Sequence, residues 1–278
     1  MRLTRYIKNN LIEILNDMKR VPVRLFFSLS VVIIFCFFRT KWLTTEYEKL
    51  GIDVRLSVLD GIHIVLVNPV VPIFLSPLFI YLISGLVRVD DEILYTFRYK
   101  NRSDIWNIKT MKVVKYAFLF IITLIFIETT IAVFVLSVDN TWMSKGGVLY
   151  KAALLDFYHQ PHSQLLKNWF SYFNWYHTEM VIGIMIVMNT LGLVIAVYVS
   201  MIINEFIANE VWGYIVLFCL GLFETFEDVP ILYNHMSIDI VEWLSLSNLF
   251  LSFLYLLFLF VIMYVIGRYL TLTKDYLR

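Results

Sequence analysis

Several features of soluble enzymes and nucleic-acid-binding proteins are scarce in this sequence. Only 16% of its 278 residues are charged and the formal net charge is +1, so it lacks the basic field that attracts nucleic acid. Its two cysteines, Cys36 and Cys219, both lie in apolar runs, whereas a disulfide framework or zinc site needs clustered Cys or His in polar segments. We therefore expect no nucleic-acid binding, and we interpret both cysteines as packing residues.

Apolar residues dominate instead. They make up 60% of the chain and the mean hydropathy is +0.75, so the chain needs a bilayer as its solvent. A helix crosses the hydrocarbon core with roughly 20 mostly apolar residues. The sequence therefore predicts an all-α integral membrane protein in which residues 1–278 form one transmembrane domain with six spanning helices. The predicted spans are Val21–Leu43, Ile62–Val87, Val113–Val138, Met180–Ile203, Val211–Phe226 and Leu244–Gly267.

The distribution of basic residues predicts that both termini are cytoplasmic, because Lys and Arg are retained on that side of the membrane. The three segments assigned to the cytoplasm, 1–24, 88–112 and 268–278, together contain 15 Lys and Arg residues. The segment 224–243, assigned to the outer side, has five acidic residues and no Lys or Arg. The fifth span, which precedes it, is the shortest and is expected to break near Pro230.

The N-terminal segment 1–20 has the pattern of an amphipathic helix lying in the membrane interface. Leu3, Ile7 and Leu11 fall on one helical face, and most of the charged residues fall elsewhere. Two roles are open for it: a basic anchor that only fixes the topology, or an elbow helix beside a cytoplasmic partner.

The predicted cytoplasmic loop 88–112 mixes aromatic and basic side chains, which are the types that protein interfaces favour. We interpret it as a docking surface for a partner protein. The alternative is an ordinary loop whose aromatic side chains sit at the level of the lipid headgroups.

The predicted outer loop 139–179 is 41 residues long and rich in Trp, Tyr and Phe, which favour the membrane interface. We expect one or two short amphipathic helices that rest on the outer leaflet or cap the bundle, with a role in substrate exit left open. His159 and His162 lie close together in this loop, but Pro161 interrupts helical spacing and no further ligand pattern is present. No metal is expected there.

Three polar residues within predicted spans are candidates for a substrate path: Glu128, Asn68 and Asn189. Glu128 lies in the middle of the predicted third span, where an ionised carboxylate is costly unless it is paired or hydrated. It either lines a substrate route or senses protonation, or it is a structural group bonded to neighbours such as Thr129 and Asn189. Asn68 precedes three prolines that should bend or loosen the second span, for movement or for packing.

In combination, these features resemble the membrane subunits of ABC-2-type ABC transporters, in particular permeases of Gram-positive bacteria associated with peptide export and immunity. The shared features are the interfacial N-terminal helix, the six spans, the basic aromatic loop after the second span, and the short fifth span with its acidic outer segment. The nearest local signature is the stretch FRYKNRSDIW at 97–106. The long loop 139–179 departs from the compact form of that family.

The resemblance implies a coupling helix in loop 88–112 that inserts into a separate ATPase subunit, which would bind ATP and Mg. No G-x-x-x-x-G-K-[ST] phosphate loop is present in this chain, which is therefore not expected to be the ATPase itself. A second permease chain, identical or different, and the plasma membrane complete the implied assembly. The residues that would couple to the ATPase are Leu94, Tyr95, Phe97, Arg98, Tyr99, Arg102 and Trp106.

Two other functional classes remain open. A proton-coupled secondary transporter would use Glu128 as its proton carrier, although no inverted repeat of broken helices is visible. An intramembrane enzyme is the third possibility, but the sequence has no H-E-x-x-H, no G-x-S-x-G and no paired carboxylates with a His partner at one depth.

Overall fold

The structure is a computed structural model that describes residues 19, 21–49, 54–66, 74–90, 102–159, 164–172, 176–207, 210–227, 229–238 and 240–273. The described part is helical, with two isolated bridges, Arg55 to Gly147 and Ser57 to Ser137, and no β-strand. The helices are α1 (Pro22–Lys49), α2 (Val58–Leu66), α3 (Ser76–Asp90), α4 (Arg102–Ala132), a 3₁₀ turn (Thr141–Met143), α5 (Val148–His159), α6 (Leu165–Tyr172), α7 (Thr178–Ile207), α8 (Glu210–Glu227), α9 (Tyr233–Met236), α10 (Ile240–Trp243) and α11 (Leu246–Thr273).

Four of these helices are long and apolar enough to cross a membrane, which supports a multi-pass membrane protein. They comprise Pro22–Tyr47 of α1, Trp106–Ala132 of α4, and the whole of α7 and α11. Each overlaps a span that the sequence predicts.

Helix α7 lies at the centre of the bundle. It packs against α11, α8, α4, α3 and α2, and it is the most buried of the four long apolar helices. Its sequence is apolar on all sides, as expected for a helix surrounded by others. By contrast, α11 buries only 11% of its most apolar stretch, so most of its surface is available to lipid or to another chain.

The third span differs from its predicted limits of Val113–Val138. Helix α4 begins at Arg102 and ends at Ala132, so Glu128 lies near the end of the helix and not in its middle. The apolar residues after Ala132 turn away, because the backbone of Ser137 bonds to Leu56 and Val58 at the start of α2. Hydropathy alone did not reveal this end, since residues 133–138 are as apolar as the helix before them.

The region predicted as the second span contains two described helices, α2 and α3. Helix α2 starts four residues earlier than predicted, because the Asp60 carboxylate accepts the Ser57 backbone N–H at its N-terminus, as in one half of a capping box. Pro77 occupies the first turn of α3, where a proline removes no helical hydrogen bond. Asn68, Pro69 and Pro72 lie outside the described residues, as does segment 1–20 apart from Lys19.

Candidate functional site

The predicted coupling residues fall partly within the described structure. Leu94, Tyr95, Phe97, Arg98 and Tyr99 lie outside the described residues, and Arg102 is the first residue of α4.

Trp106, in contrast, is 3% exposed and packs inside its own chain. Its ring lies 5.7 Å from that of Tyr198 in α7 and directly against Gly267 in α11. In the described structure it therefore fixes the start of α4 to two other helices and is not part of an exposed docking surface.

A second contact fastens the same turn of α4. The Tyr264 hydroxyl of α11 donates to Asn107 Oδ1 at 2.6 Å. A side chain at position 267 would collide with the Trp106 ring, so glycine is required there by close approach and not by backbone conformation. The end of α4 that begins at Arg102 is thus tied to α7 and α11 by one ring contact and one hydrogen bond.

Glu128 is fully buried at the junction of α1, α2 and α4. Its Oε1 accepts a hydrogen bond from Thr40 Oγ1 of α1 at 2.6 Å, and a Cβ placed on Gly61 of α2 would lie 2.8 Å from the same oxygen. Cys36 of α1 is also within hydrogen-bonding reach of the carboxyl group. The other oxygen, Oε2, is buried and has no hydrogen-bond partner within the described part of the chain. We call Glu128, Thr40, Cys36 and Gly61 the Glu128 junction.

The structure replaces the neighbours that the sequence suggested for Glu128. Thr40, which is 88 residues away in sequence, is the partner instead of Thr129 or Asn189. Asn189 is buried in α7, where its Nδ2 donates to the Met185 carbonyl oxygen of its own helix at 3.0 Å. Its Oδ1 has no partner among the described residues. Glu128 and Asn189, the two predicted path residues that the structure describes, therefore have separate partners.

An acidic group that sequence reasoning missed, Asp60, organises the end of the bundle where α4 ends and α2 begins. Its Oδ2 accepts hydrogen bonds from the backbone N–H and the hydroxyl of Ser57, both at 2.7 Å, and from Thr141 Oγ1 at 3.2 Å. Its Oδ1 accepts from Trp142 Nε1 at 2.7 Å. The spacing Ser57-x-x-Asp60 is the sequence signal that could have identified it.

Trp142 joins this carboxylate to an aromatic cluster, which we call the outer cap because three of its members belong to the predicted outer loop 139–179: Trp142, Trp169, Tyr176, Trp243 and His63. The Trp142 ring meets the rings of Trp243 at 5.2 Å and His63 at 5.6 Å in edge-to-face geometry. Trp169 Nε1 donates to the Trp142 carbonyl oxygen at 3.3 Å, and the Tyr176 hydroxyl donates to the Trp243 carbonyl oxygen at 3.0 Å. The two helices α5 and α6 form in loop 139–179, and this loop is tied to the bundle through these contacts.

The cap also closes over the segment before α11. His63 Nε2 lies 2.8 Å from the Ile238 carbonyl oxygen, so this nitrogen carries the proton. Asn168 Nδ2 donates to the Leu244 carbonyl oxygen at 3.0 Å. Burial raises the pKa of the Tyr176 hydroxyl, so that the group stays a neutral donor at physiological pH.

Glu224, an acidic residue of the predicted outer segment 224–243, positions the segment after α8. Its Oε1 accepts from the Leu232 N–H and its Oε2 from the Asn234 N–H, both at 2.9 Å, so it caps the short helix α9. Tyr233 in that helix donates to Ser76 Oγ of α3 at 3.1 Å. Burial lowers the pKa of the neighbouring His235 imidazole, and the Glu224 carboxylate partly opposes this.

The site chemistry is therefore one of buried single carboxylates held by hydrogen-bond donors. Among the described residues, no group of three or more His, Cys, Asp or Glu side chains is placed to hold a metal ion. No protein-family model matches the sequence, and no curated protein or solved structure is significantly similar to it.

Proposed function

We propose that this chain is the membrane-spanning permease subunit of an ATP-driven exporter of the ABC type. The observation that carries the proposal is the continuity of α4, which runs as one helix of 31 residues from Arg102 to Ala132 and carries Glu128 near its end. At 1.5 Å per residue, Arg102 and Glu128 are about 39 Å apart along the helix axis. A force applied to segment 88–112 would thus reach the opposite end of the bundle through a single rigid element.

The contacts at both ends of α4 suit a rigid helix that transmits displacement from one end of the bundle to the other. At its start, Trp106 and Asn107 contact α7 and α11, so a displacement there moves the helices that form the core. At its end, Glu128 contacts α1 and α2, and the chain continues directly to the outer cap through Thr141 and Trp142. Tight packing transmits such displacements, because packed interfaces switch between discrete arrangements.

The proposed topology has six spans, with both termini in the cytoplasm of a Gram-positive bacterial cell. Four spans are the long apolar helices; the second covers Ile62–Val87, and α8 is the fifth. Helix α8 is 18 residues long with an acid at each end, which gives it about 27 Å of length. This is close to the roughly 30 Å hydrocarbon thickness, so α8 would span the bilayer with a small local thinning of the membrane.

The partners in this proposal are an ABC ATPase subunit that binds ATP and Mg, and a second permease chain. The predicted coupling residues other than the buried Trp106 would contact the ATPase, and this chain would perform no hydrolysis itself: Leu94, Tyr95, Phe97, Arg98, Tyr99 and Arg102. Exposed apolar faces on α8 and α11 offer area for lipid and for the second chain. The substrate would be hydrophobic or amphipathic, such as a peptide.

A double replacement tests the coupling segment. Arg98→Ala combined with Tyr99→Ala should abolish copurification of the ATPase while the variant still inserts in the membrane. Because Trp106 is buried, replacing it would perturb packing as well as docking, so it is left unchanged. Lys145→Ala, which removes an exposed cation from the other end of the bundle, is the control and should retain the ATPase. Full retention of the ATPase by the double variant would remove the coupling assignment.

One observation favours a second candidate, a proton-coupled secondary transporter. The Thr40 hydroxyl has one proton but lies within hydrogen-bonding distance of both Glu128 Oε1 and the Cys36 carbonyl oxygen. Both contacts are hydrogen bonds if the Glu128 carboxyl group is protonated and donates a hydrogen bond to Thr40 Oγ1, while the Thr40 hydroxyl donates to the Cys36 carbonyl oxygen. Transport that continues after ATP depletion while a pH gradient lasts would support this candidate, whereas an immediate stop would support the exporter.

A further inference from the structure

A cavity of about 60 Å³ opens between α1, α3 and α4, close to the start of α1. Its wall is almost entirely apolar and includes Leu25, Ser28 and Val32 of α1, Leu82 of α3, and Phe120 and Leu124 of α4. The cavity has room for part of one hydrocarbon chain, but not for a whole lipid. The adjacent face of α1 exposes Phe26 and Ile33, so the remainder of a chain would lie along an apolar surface.

Three residues of this wall, Ser28, Tyr116 and Thr123, carry a hydroxyl group, and that of Thr123 donates to the Leu119 carbonyl oxygen of its own helix at 2.8 Å. Ser28 differs from Thr123 in this respect. The residue is 1% exposed, and its hydroxyl has no hydrogen-bond partner within the described part of the chain. A buried hydroxyl without a partner costs free energy, and a ligand oxygen in the cavity would relieve that cost. The cavity is therefore suited to a ligand that is mainly hydrocarbon but carries an acceptor oxygen at the level of Ser28.

A cation lies one helical turn from Ser28. Arg24 is four residues earlier on the same face of α1, about 6 Å along the axis towards the end of the helix. Its Nη1 donates to the Tyr81 carbonyl oxygen at 3.0 Å and to Ser84 Oγ at 2.9 Å, and its guanidinium lies over the Tyr81 ring. These are neutral groups, and no carboxylate pairs with Arg24 among the described residues.

We propose that this cavity binds an anionic phospholipid of the bilayer, with the phosphate at Arg24, an ester oxygen at Ser28 and part of one acyl chain between α1, α3 and α4. The order of cation, hydroxyl and apolar wall matches the order of phosphate, ester and chain in such a lipid. Arginine near a helix end reaches the headgroup level in this way, and it binds phosphate through several N–H donors. The inference requires membrane insertion but not the proposed transport function.

The competing explanation is that Arg24 only pins α1 to α3. The two explanations differ in what they predict for Ser28, because its hydroxyl makes no contact that a pin would need. If the cavity binds the lipid, Ser28→Ala should leave the fold intact and lower the affinity for the lipid. If Arg24 only holds α1 against α3, Ser28→Ala should leave lipid affinity unchanged.

The test is native mass spectrometry of the purified full-length chain with phosphatidylglycerol or phosphatidylcholine of identical acyl chains. The wild-type chain should retain phosphatidylglycerol preferentially. Arg24→Gln should lower the affinity for phosphatidylglycerol by about tenfold, the size of one hydrogen bond to a charged group. Ser28→Ala should lower it by about fivefold, as for a neutral hydrogen bond.

Lys41→Gln, which removes an exposed cation from the other end of α1, is the matched control and should behave as wild type. If Arg24→Gln does not fold, Ser28→Ala decides alone. Equal retention of both lipids by the wild-type chain, or unchanged retention of phosphatidylglycerol by Ser28→Ala, would overturn the proposal.

Discussion

Replacement of Asp60 by alanine should be among the most destabilising single changes in this chain. The Asp60 carboxylate accepts four hydrogen bonds, from Ser57 N, Ser57 Oγ, Thr141 Oγ1 and Trp142 Nε1. The Ser57 N–H and the Trp142 indole N–H would lose their acceptor while buried, at about 1–3 kcal/mol each. Since such costs are not additive between neighbours, we expect the free energy of unfolding to fall by about 3–5 kcal/mol.

The assay is thermal unfolding of the purified chain in a fixed detergent, with limited proteolysis of the loop between α4 and α7 as a second measurement. Asp60→Ala should lower Tm and speed cleavage in that loop, because the outer cap loses its link to α2. Asp60→Asn should be intermediate, since it keeps one acceptor oxygen but presents an amide N–H to donors. Asp139→Asn, an exposed acid in the same loop, is the control and should change stability by less than about 0.5 kcal/mol. If Asp60→Ala matched this control, the reasoning would be refuted.

Three further predictions follow from the buried contacts. Gly267→Ala should destabilise the chain by about 1–3 kcal/mol in thermal unfolding, because its methyl group would meet the Trp106 ring, whereas Gly183→Ala has open space and should be neutral or stabilising. Burial lowers the pKa of His235, so the stability that the neutral imidazole contributes is full above about pH 6.5, the unfolded-state pKa, and is lost as pH falls. Tm should therefore drop less between pH 7.5 and 5.5 in His235→Gln than in the wild type. Glu128→Gln keeps an acceptor for Thr40 and should change stability by less than about 1 kcal/mol, and ATP-driven export should survive it, whereas loss of transport with normal stability would favour proton coupling.

The helices were predictable where hydropathy decides the structure, and less so where single contacts do. Helix α7 is predominantly apolar, so its span was evident from composition, and it lies at the buried centre of the bundle. The end of α4 at Ala132 was not evident, because residues 133–138 are equally apolar and only the backbone pairing of Ser137 redirects them. Asn68, Pro69 and Pro72, which are predicted to bend or loosen the second span, lie outside the described residues.

The candidate site was predictable in its residue types but not in its pairings. Glu128 was recognisable as a buried carboxylate, but its partner Thr40 is 88 residues away, and no local pattern links the two. Glu224 was visible only as part of an acidic cluster, although its carboxylate caps α9. Trp106 was interpreted as a docking residue because tryptophan is enriched at protein interfaces. Tryptophan is also common in protein cores, and the structure places Trp106 in the core, at 3% exposure.

The proposal that this chain is a permease driven by a separate ATPase is tested most directly by what copurifies with the tagged chain from its native cells in a gentle detergent. Mass spectrometry of the purified complex should find a stoichiometric protein with a Walker A sequence. That protein should be absent when Arg98→Ala and Tyr99→Ala are combined. Repeated recovery of the wild-type chain alone and monodisperse would contradict the account and direct attention to Glu128 as the proton carrier of a secondary transporter.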